Sequence, residues 1–424
     1  MAQIESRQDN KKHVLIVSQH FWPESFHIND ICDFLVGDKD RQVDVLCGRP
    51  NYPSGKLALG YSLFNKRHEV HNKINIYRTF EIPRGNNSSV RILLNYLSFP
   101  LASLFHIPRL LFRKYDKIFI YETSPVYMAL AGIILGKLTK TEVIIYVLDL
   151  WPENLFSVLK VKNRLLRRIA YSTSEWHYKK ADRLIALSNR MAERLQDITH
   201  KKQGDIVTIQ QVCEKVLETN IKDKNLTKRF GSGFNIVFTG NISPAQSFET
   251  IISAATKLKS DGISDINWIV VGDGMSKKWL EGQVAQEGLS DHFFFEGQKP
   301  LSDIPKYTEI ADLLIACLEK SDLLEATIPA KVTSYIAAGR PIVLAMDGEV
   351  RDLINVKIQC GFAGQAKNSD ELANNIKKVY QMSDTSRVKL GKKALEYRKK
   401  FLQRDVVYEQ LDNFIFSRSD KDRL

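Results

Sequence analysis

Short β-branched and aromatic runs recur along the chain with amphipathic segments between them. His13–Ser18, Val43–Cys47, Ile74–Arg78, Lys117–Tyr121, Glu142–Tyr146 and Arg183–Leu187 have the composition of buried strands. Ser25–Val36, Val126–Leu138 and Arg164–Lys180 have helical periodicity and fit between several of them. The pattern then restarts. Phe234–Thr239, Asn267–Val271, Phe293–Glu296, Leu313–Cys317 and Ile342–Ala345 read as strands. Gln246–Lys259, Ser276–Glu287 and Pro300–Ile310 read as helices. Strands alternating with helices predict a parallel, doubly wound α/β sheet. The repetition predicts two tandem Rossmann-like domains facing a cleft. The chain turns polar near Ile206–Asn225, which divides it into an N-terminal domain, 1–208, and a C-terminal domain, 209–403. In Arg404–Ser417, apolar Val406, Val407, Leu411, Phe414 and Ile415 sit at helical spacing. That helix is expected to pack back on the first domain.

One stretch breaks the alternation. Ile92–Ile107 is strongly apolar and is followed by Arg109, Arg113, Lys114 and Lys117. It is too short and too polar to span a bilayer. An apolar face beside a cationic edge suits a membrane interface, so 92–117 is the expected peripheral membrane contact. A buried helix with a solvated basic end is the competing reading.

Charge narrows the ligand classes. Against 49 acidic residues stand 61 Lys and Arg, a net +12 that suits anionic ligands such as acidic lipid or phosphorylated metabolites. No zinc-finger or RNP-type aromatic signature is present, so no nucleic-acid partner is expected. The cysteines Cys32, Cys47, Cys213, Cys317 and Cys360 are scattered without C-x-x-C spacing, which points to a reducing compartment. The polar start has no signal-peptide pattern, and the expected location is the cytoplasm or the inner face of the cell membrane.

Ligands of open parallel sheets bind beyond the carboxyl ends of the strands. The first strand runs into HFWPESF, 20–26, and the Glu142–Tyr146 strand into DLWPENLF, 149–156. These two loops would bring Glu24, Asp149 and Glu153 to the rim of one crevice. After the second strand comes GRPNYPSG, 48–55, where Asn51 and Tyr52 can hydrogen-bond sugar hydroxyls. In the second half, Gly240 ends a strand in FTGNISPAQSFET, and Gly272 and Gly274 end another in VVGDG. Glycines there permit close backbone approach, and the helix that follows offers free N–H groups.

The fullest signal is EATIPAKVTSYIAAGRPIV, 325–343. Pro329 suits a first helical turn, Gly339 closes the helix and Pro341 prevents its continuation. Lys331 sits in the first turn, where a cation opposes the helix dipole and is better placed if an anion joins it. A phosphate would fit; an exposed lysine on an ordinary helix is the bland alternative. No metal is expected. The D-x-D pairs Asp38/Asp40 and Asp420/Asp422 lie in a turn and the tail, and there is no G-x-S-x-G elbow or P-loop.

Together, WPE, PNYPSG, DLWPE, TGNISPAQSFETII, VVGDG and IPAKVTSYIAAGRPIV resemble, in order, the family 4 retaining glycosyltransferases of GT-B fold. The nearest subgroup is the fucosyl- and N-acetylfucosaminyl-transferase-like enzymes of bacterial colanic acid, O-antigen and capsule synthesis. The resemblance implies transfer of a hexosyl or N-acetylhexosaminyl group, with retention, from a nucleotide-diphosphate sugar, UDP being the expected nucleotide. It implies no cofactor, and a lipid-linked saccharide as acceptor. Lys331, with the Gly240–Ser243 loop, would carry the leaving diphosphate. Glu325, Asn241, Gln246, Gly272, Gly274, Ser334 and Glu349 would line the donor. Asp149 and Glu24 would orient the acceptor hydroxyl or take its proton, with Asn51, Tyr52 and Glu153 around the acceptor. The chain departs from the family where a glutamate pair is usual, having Ala326 and Ser334. It has neutral Asn241 and Gln246 where many members have Arg and Lys, and Leu148 where many have His. Those departures keep two alternatives open: a non-catalytic partner subunit and a sugar-nucleotide epimerase.

Overall fold

The computed structural model describes residues 11–85, 88–152 and 163–417. β1 (His13–Ser18) is buried at every position, as befits a strand covered on both faces. Around it lie β2 (Gln42–Cys47), β3 (His68–His71), β4 (Ile74–Arg78), β5 (Lys117–Glu122), β6 (Glu142–Val147), β7 (Arg183–Ala186) and β8 (Ile206–Thr208). The sheet order is β3-β4-β2-β1-β5-β6-β7-β8, parallel except for the β3–β4 hairpin. The second sheet contains β9 (Phe234–Thr239), β10 (Ile266–Val271), β11 (Phe293–Gly297), β12 (Leu313–Cys317), β13 (Ile342–Ala345) and β14 (Gly361–Gly364). Its order is β11-β10-β9-β12-β13-β14, all parallel. Each sheet is therefore wound in both directions from a central pair, β1/β5 in one and β9/β12 in the other. The carboxyl ends of those pairs are the switch points where ligands of such sheets bind.

The first unit comprises residues up to Leu187, Met191–Ile209 and from Tyr408 on; the second comprises Ser188–Arg190 and Gln210–Val407. The core of the second has two apolar layers. One includes Phe238, Phe248, Ile251 and Trp268. The other includes Val237, Ile269, Val332, Tyr335 and Ile336. The Ala330–Ala338 helix belongs to the latter layer, and it ends at Gly339, whose φ of +66° favours glycine.

The apolar 92–107 stretch forms most of a helix, Ser89–Ser103, capped by Ser88, whose side chain accepts from the Arg91 N–H. A single 3-10 turn and a short helix, Ile107–Leu111, extend it, so that Val90–Leu111 is, against the expectation from 92–107 alone, long and apolar enough to cross a membrane by length and composition. It is not the buried helix of the competing reading: Tyr96 and Phe99 are buried, while Leu93, Leu97 and Leu101 are exposed.

The helix Arg404–Phe416 closes the first unit through Arg183. That guanidinium, 5% exposed, donates to both carboxylate oxygens of Glu142 at 2.7 and 3.0 Å. It also donates to the carbonyls of Phe414, at 2.7 Å, and Ile415, at 3.2 Å. Lys117 shares Glu142 at 2.5 Å. Arg183→Ala leaves Glu142 buried with one cation fewer and frees two helix-end carbonyls. It should lower unfolding stability by about 3–5 kcal/mol, measured by urea denaturation, the usual scale for breaking one side of a buried pair.

Candidate functional site

In the second unit, the loops after β9 and β10 are bound together by main-chain bonds. Gly240 N–H donates to the Val271 carbonyl at 2.9 Å, and Ile242 N–H to that of Asp273 at 2.8 Å. Gly272 and Gly274 make this possible. A Cβ on Gly272 would lie 1.9 Å from the Gly240 oxygen, and one on Gly274 would lie 2.2 Å from that of Ile242. The close approach these glycines permit is therefore that of the neighbouring loop. Gly240 serves a different purpose: its missing Cβ leaves space 3.4 Å from the Lys331 Nζ.

Lys331 reaches this loop from the first turn of the Ala330–Ala338 helix. The helix starts after Pro329 and has no side-chain cap on its first N–H groups. Tyr335 fixes its position: the phenol donates to the Ile315 carbonyl at 3.1 Å and accepts from the Thr239 N–H at 3.0 Å. The partly buried Lys331 ammonium donates to the Gln246 side-chain oxygen. It also lies 4.0 Å from the centroid of the Phe238 ring. Neither neighbour carries a negative charge. Burial pushes the Lys331 pKa down to about 7, with the Cys317 thiol acting weakly in the other direction. The amine lies beside a helix N-terminus without a side-chain cap, the kind of place where an anion is favoured.

The other donor-side candidates differ in their engagement. Ser334 donates back to the Ala330 carbonyl at 3.1 Å. Glu325 pairs with Arg190 at 3.1 Å. Glu349 is buried with both oxygens occupied: Asn189 Nδ2 donates to one at 2.8 Å, and the Arg190 N–H to the other at 3.1 Å. It anchors the 188–190 segment of this unit.

In the first unit, Glu24 is likewise an anchor. One oxygen accepts from the N–H groups of Asn51 and Tyr52, both at 2.6 Å, and the other meets His20 Nδ1 at 2.9 Å. This carboxylate shapes the PNYPSG loop. Asn51 is buried, donating to the Arg49 carbonyl at 2.7 Å and to Glu81 at 3.2 Å, whereas Tyr52 is exposed. Glu81 is a member of this cluster that sequence reasoning missed. It is fully buried and accepts from Gln19 at 2.9 Å, Asn95 at 2.6 Å and the Arg49 N–H at 3.1 Å. Burial raises its pKa despite those donors.

Asp149 is partly buried just beyond β6. Trp151 pins its loop, donating its N–H to Tyr178 Oη at 3.0 Å and its indole N–H to Ser124 Oγ at 2.8 Å. At the end of β5 lies Glu122, also missed. It is fully buried, and neither carboxyl oxygen has a hydrogen-bond partner among the described residues. Burial, reinforced by the charge of Asp149, pushes its pKa well above the ordinary carboxylate range and so favours the neutral acid. A glutamate ending the apolar run KIFIYE was the available signal. Glu153 lies outside the described residues. Among the described residues, no group of three or more His, Cys, Asp or Glu is arranged to hold a metal ion.

Residues 220–397, which hold the Lys331 site, match the family described as glycosyl transferases group 1. The match falls within the second unit, which is similar to a group 1 glycosyltransferase domain. The chain is also similar to the colanic acid biosynthesis glycosyl transferase WcaI of Escherichia coli K12. The two are 22% identical over 421 residues, 95% of this chain and 99% of that one. It is 24% identical over 230 residues to the 2-deoxystreptamine glucosyltransferase of Streptomyces kanamyceticus, spanning 53% of this chain and 58% of that enzyme. Its fold resembles HepE of Anabaena, solved with UDP-glucose, at a TM-score of 0.66 and 16% identity, over 96% of this chain and 100% of that one. The two parallel-sheet units have the α/β fold seen in GT-B glycosyltransferase structures.

Two pH experiments test the site. A lysine whose folded pKa is lowered costs stability below that value and progressively less as pH rises towards its unfolded value. Wild type should therefore gain stability relative to Lys331→Met between about pH 7 and 10. A constant difference between their urea midpoints would contradict the assignment. Glu122 has the opposite sense. Its neutral form contributes stability at low pH that is lost as pH rises through the raised folded pKa. Glu122→Gln should not show that loss, so its stability should rise relative to wild type above about pH 4.5.

Proposed function

We propose that the chain is a retaining glycosyltransferase. In this reading it moves a hexosyl or N-acetylhexosaminyl group from a UDP-sugar to a lipid-linked saccharide during cell-surface polysaccharide synthesis. The observation that carries the reading is the Lys331 ammonium, held beside an uncapped helix N-terminus by partners that carry no charge. UDP-glucose in HepE and the colanic acid assignment of WcaI support the donor and acceptor classes.

Breaking the bond between sugar and diphosphate leaves negative charge on the phosphate oxygen. A preorganised cation there lowers the barrier because it need not be recruited from water. With Asn241 and Gln246 neutral, Lys331 carries more of that charge than it would beside an Arg and a Lys. Gln246 Oε1 directs the ammonium. Glu325 and Gly274 flank the donor. In the first unit, Asp149 orients the acceptor hydroxyl, and neutral Glu122 adds no second negative charge beside it. Glu24 and Asn51 hold the loop that presents Tyr52 to the acceptor. Glu153 is proposed to join that loop in binding the acceptor. The chemistry as proposed uses no metal, and the enzyme works at the inner face of the membrane, contacting it through 92–117.

Turnover should appear with one of a panel of UDP- and GDP-sugars once membrane lipid extract is supplied, and should persist in EDTA. Lys331→Met should lower kcat/KM by at least about tenfold. At pH 8 a lysine with a pKa of about 7 is mostly neutral. UDP binding should therefore take up close to one proton, read from calorimetric heats in Tris and HEPES, and the variant should take up none. Proton-neutral binding by wild type would remove the diphosphate role. Donor binding without turnover would favour a partner subunit, and epimerised sugar formed without acceptor would favour an epimerase.

A further inference from the structure

We propose that Arg84 binds an oxyanion of the acceptor, either a sugar carboxylate or the phosphate that links saccharide to lipid. The inference rests on the reading of a lipid-linked saccharide as acceptor and names the group by which the first unit holds it.

Two loops at the carboxyl rim of the first sheet are locked together. The 48–55 loop follows β2, and the 79–85 loop follows β4. Gly85 N–H donates to the Gly55 carbonyl at 2.9 Å. Gly55 has a φ of +73°, and a Cβ there would fall 2.2 Å from the Gly85 oxygen, so only glycine fits. The Arg84 N–H adds a weaker bond to Asn51 Oδ1 at 3.4 Å. This lock sets Arg84 beside Tyr52, an exposed residue of the PNYPSG loop. The guanidinium carbon lies 5.6 Å from the centroid of the Tyr52 ring and 5.5 Å from that of Tyr96. The Arg84 Nε donates to Asn95 Oδ1 at 3.3 Å. Two rings and an amide thus fix a planar cation, and none of the three carries charge.

The buried polar cluster below explains how that cation is aimed. Glu81 has both oxygens occupied, one by Gln19, Asn51 and Asn95 and the other by the Arg49 N–H. It therefore holds Asn95 rather than pairing with Arg84. Asn95 donates to Glu81 at 2.6 Å and to the Ile82 carbonyl at 2.8 Å, which turns its oxygen towards Gln19 and Arg84. Among the described residues, neither Nη of Arg84 makes a hydrogen bond, and no carboxylate forms an ion pair with it. Arg78, on the same rim, shows what a purely structural arginine looks like. It donates to Glu69 at 2.6 Å and to the Trp22 carbonyl at 2.5 Å. Arg84 instead keeps the fork of its terminal nitrogens open. Such a fork matches two oxygens of a carboxylate or phosphate.

The fork lies on the reacting side of the unit. Tyr96 is 5.6 Å from Trp151, which follows Asp149 by two residues. One aromatic row therefore runs from the Tyr52–Arg84 pair to the Asp149 loop. A neutral saccharide along that row would leave the cation unmatched, whereas an anionic group would pair with it.

The test titrates the full chain, at fixed ionic strength, with methyl glucuronide, glucose 1-phosphate and the neutral methyl glucoside. Repeating it in Lys331→Met removes the contribution of the donor-side cation. At least one anionic probe should bind about tenfold more tightly than methyl glucoside. Preference for the glucuronide assigns the sugar carboxylate, and preference for glucose 1-phosphate assigns the lipid linkage. Arg84→Gln should abolish the preference while leaving methyl glucoside binding and the urea midpoint unchanged. Arg84→Lys, which keeps the charge without the fork, should retain only part of it. With native acceptor from membrane lipid extract, Arg84→Gln should raise the acceptor KM about tenfold and leave the donor KM unchanged. The probe titration needs no turnover, so it decides the Arg84 site even where no transfer is seen, a result that would count against the glycosyltransferase reading alone. Two results would overturn the proposal. One is no preference for either anion in wild type. The other is equal weakening of neutral and anionic probes by Arg84→Gln, which a merely structural clamp would give.

Discussion

A strand buried on both faces can present chemistry only at its ends. That constraint shapes both sheets: the central strands β1, β5, β6 and β9 are buried at every position. Polar function is thereby driven to the carboxyl rims, where the chain leaves the sheet and backbone groups need new partners. In the second unit those partners are the neighbouring loops, closed on each other through Gly240, Gly272 and Gly274. In the first, a carboxylate does the same work, with Glu24 collecting the N–H groups of the next loop.

The rims also share an electrostatic habit. Each keeps an ionisable side chain out of water, and burial shifts both towards their neutral forms, Lys331 in one and Glu122 in the other. A charged group fully solvated beforehand would have to shed its water when substrate arrives. One already desolvated responds to an incoming phosphate by taking a proton. The cost is carried by the apolar layers around it, in which Tyr335 ties helix to strand.

The α/β class was legible because parallel strands covered on both sides read as apolar runs separated by helical periods. His13–Ser18, Ile74–Arg78, Phe234–Thr239, Leu313–Cys317 and Ile342–Ala345 are strands over those same residues. What escaped were the edges. β3 is polar and half exposed, β8 is short and lies in a segment read as polar linker, and β14 contains two glycines. Gly361 is needed there because a Cβ would fall 1.8 Å from the Ile342 oxygen, a requirement of pairing that propensity does not express. At the site, Lys331 could be found because a cation in a first helical turn is locally anomalous. Glu81 could not, since its meaning lies in Gln19, Asn51 and Asn95, which are distant in the chain. The roles of Glu24 and Glu349 as anchors were hidden for the same reason: a sequence shows a carboxylate but not which N–H groups it has already accepted.

The Arg183 contacts have a consequence for how the protein is made. The helix that completes the first unit is synthesised after the whole of the second. Until Phe414 and Ile415 emerge, the nascent first unit has a cationic side chain lacking two of its acceptors and an apolar edge at Phe34 lacking Tyr408. During translation the second unit can finish folding while the first is still open along one side. The unit whose synthesis begins first is thus the last to have all of its residues.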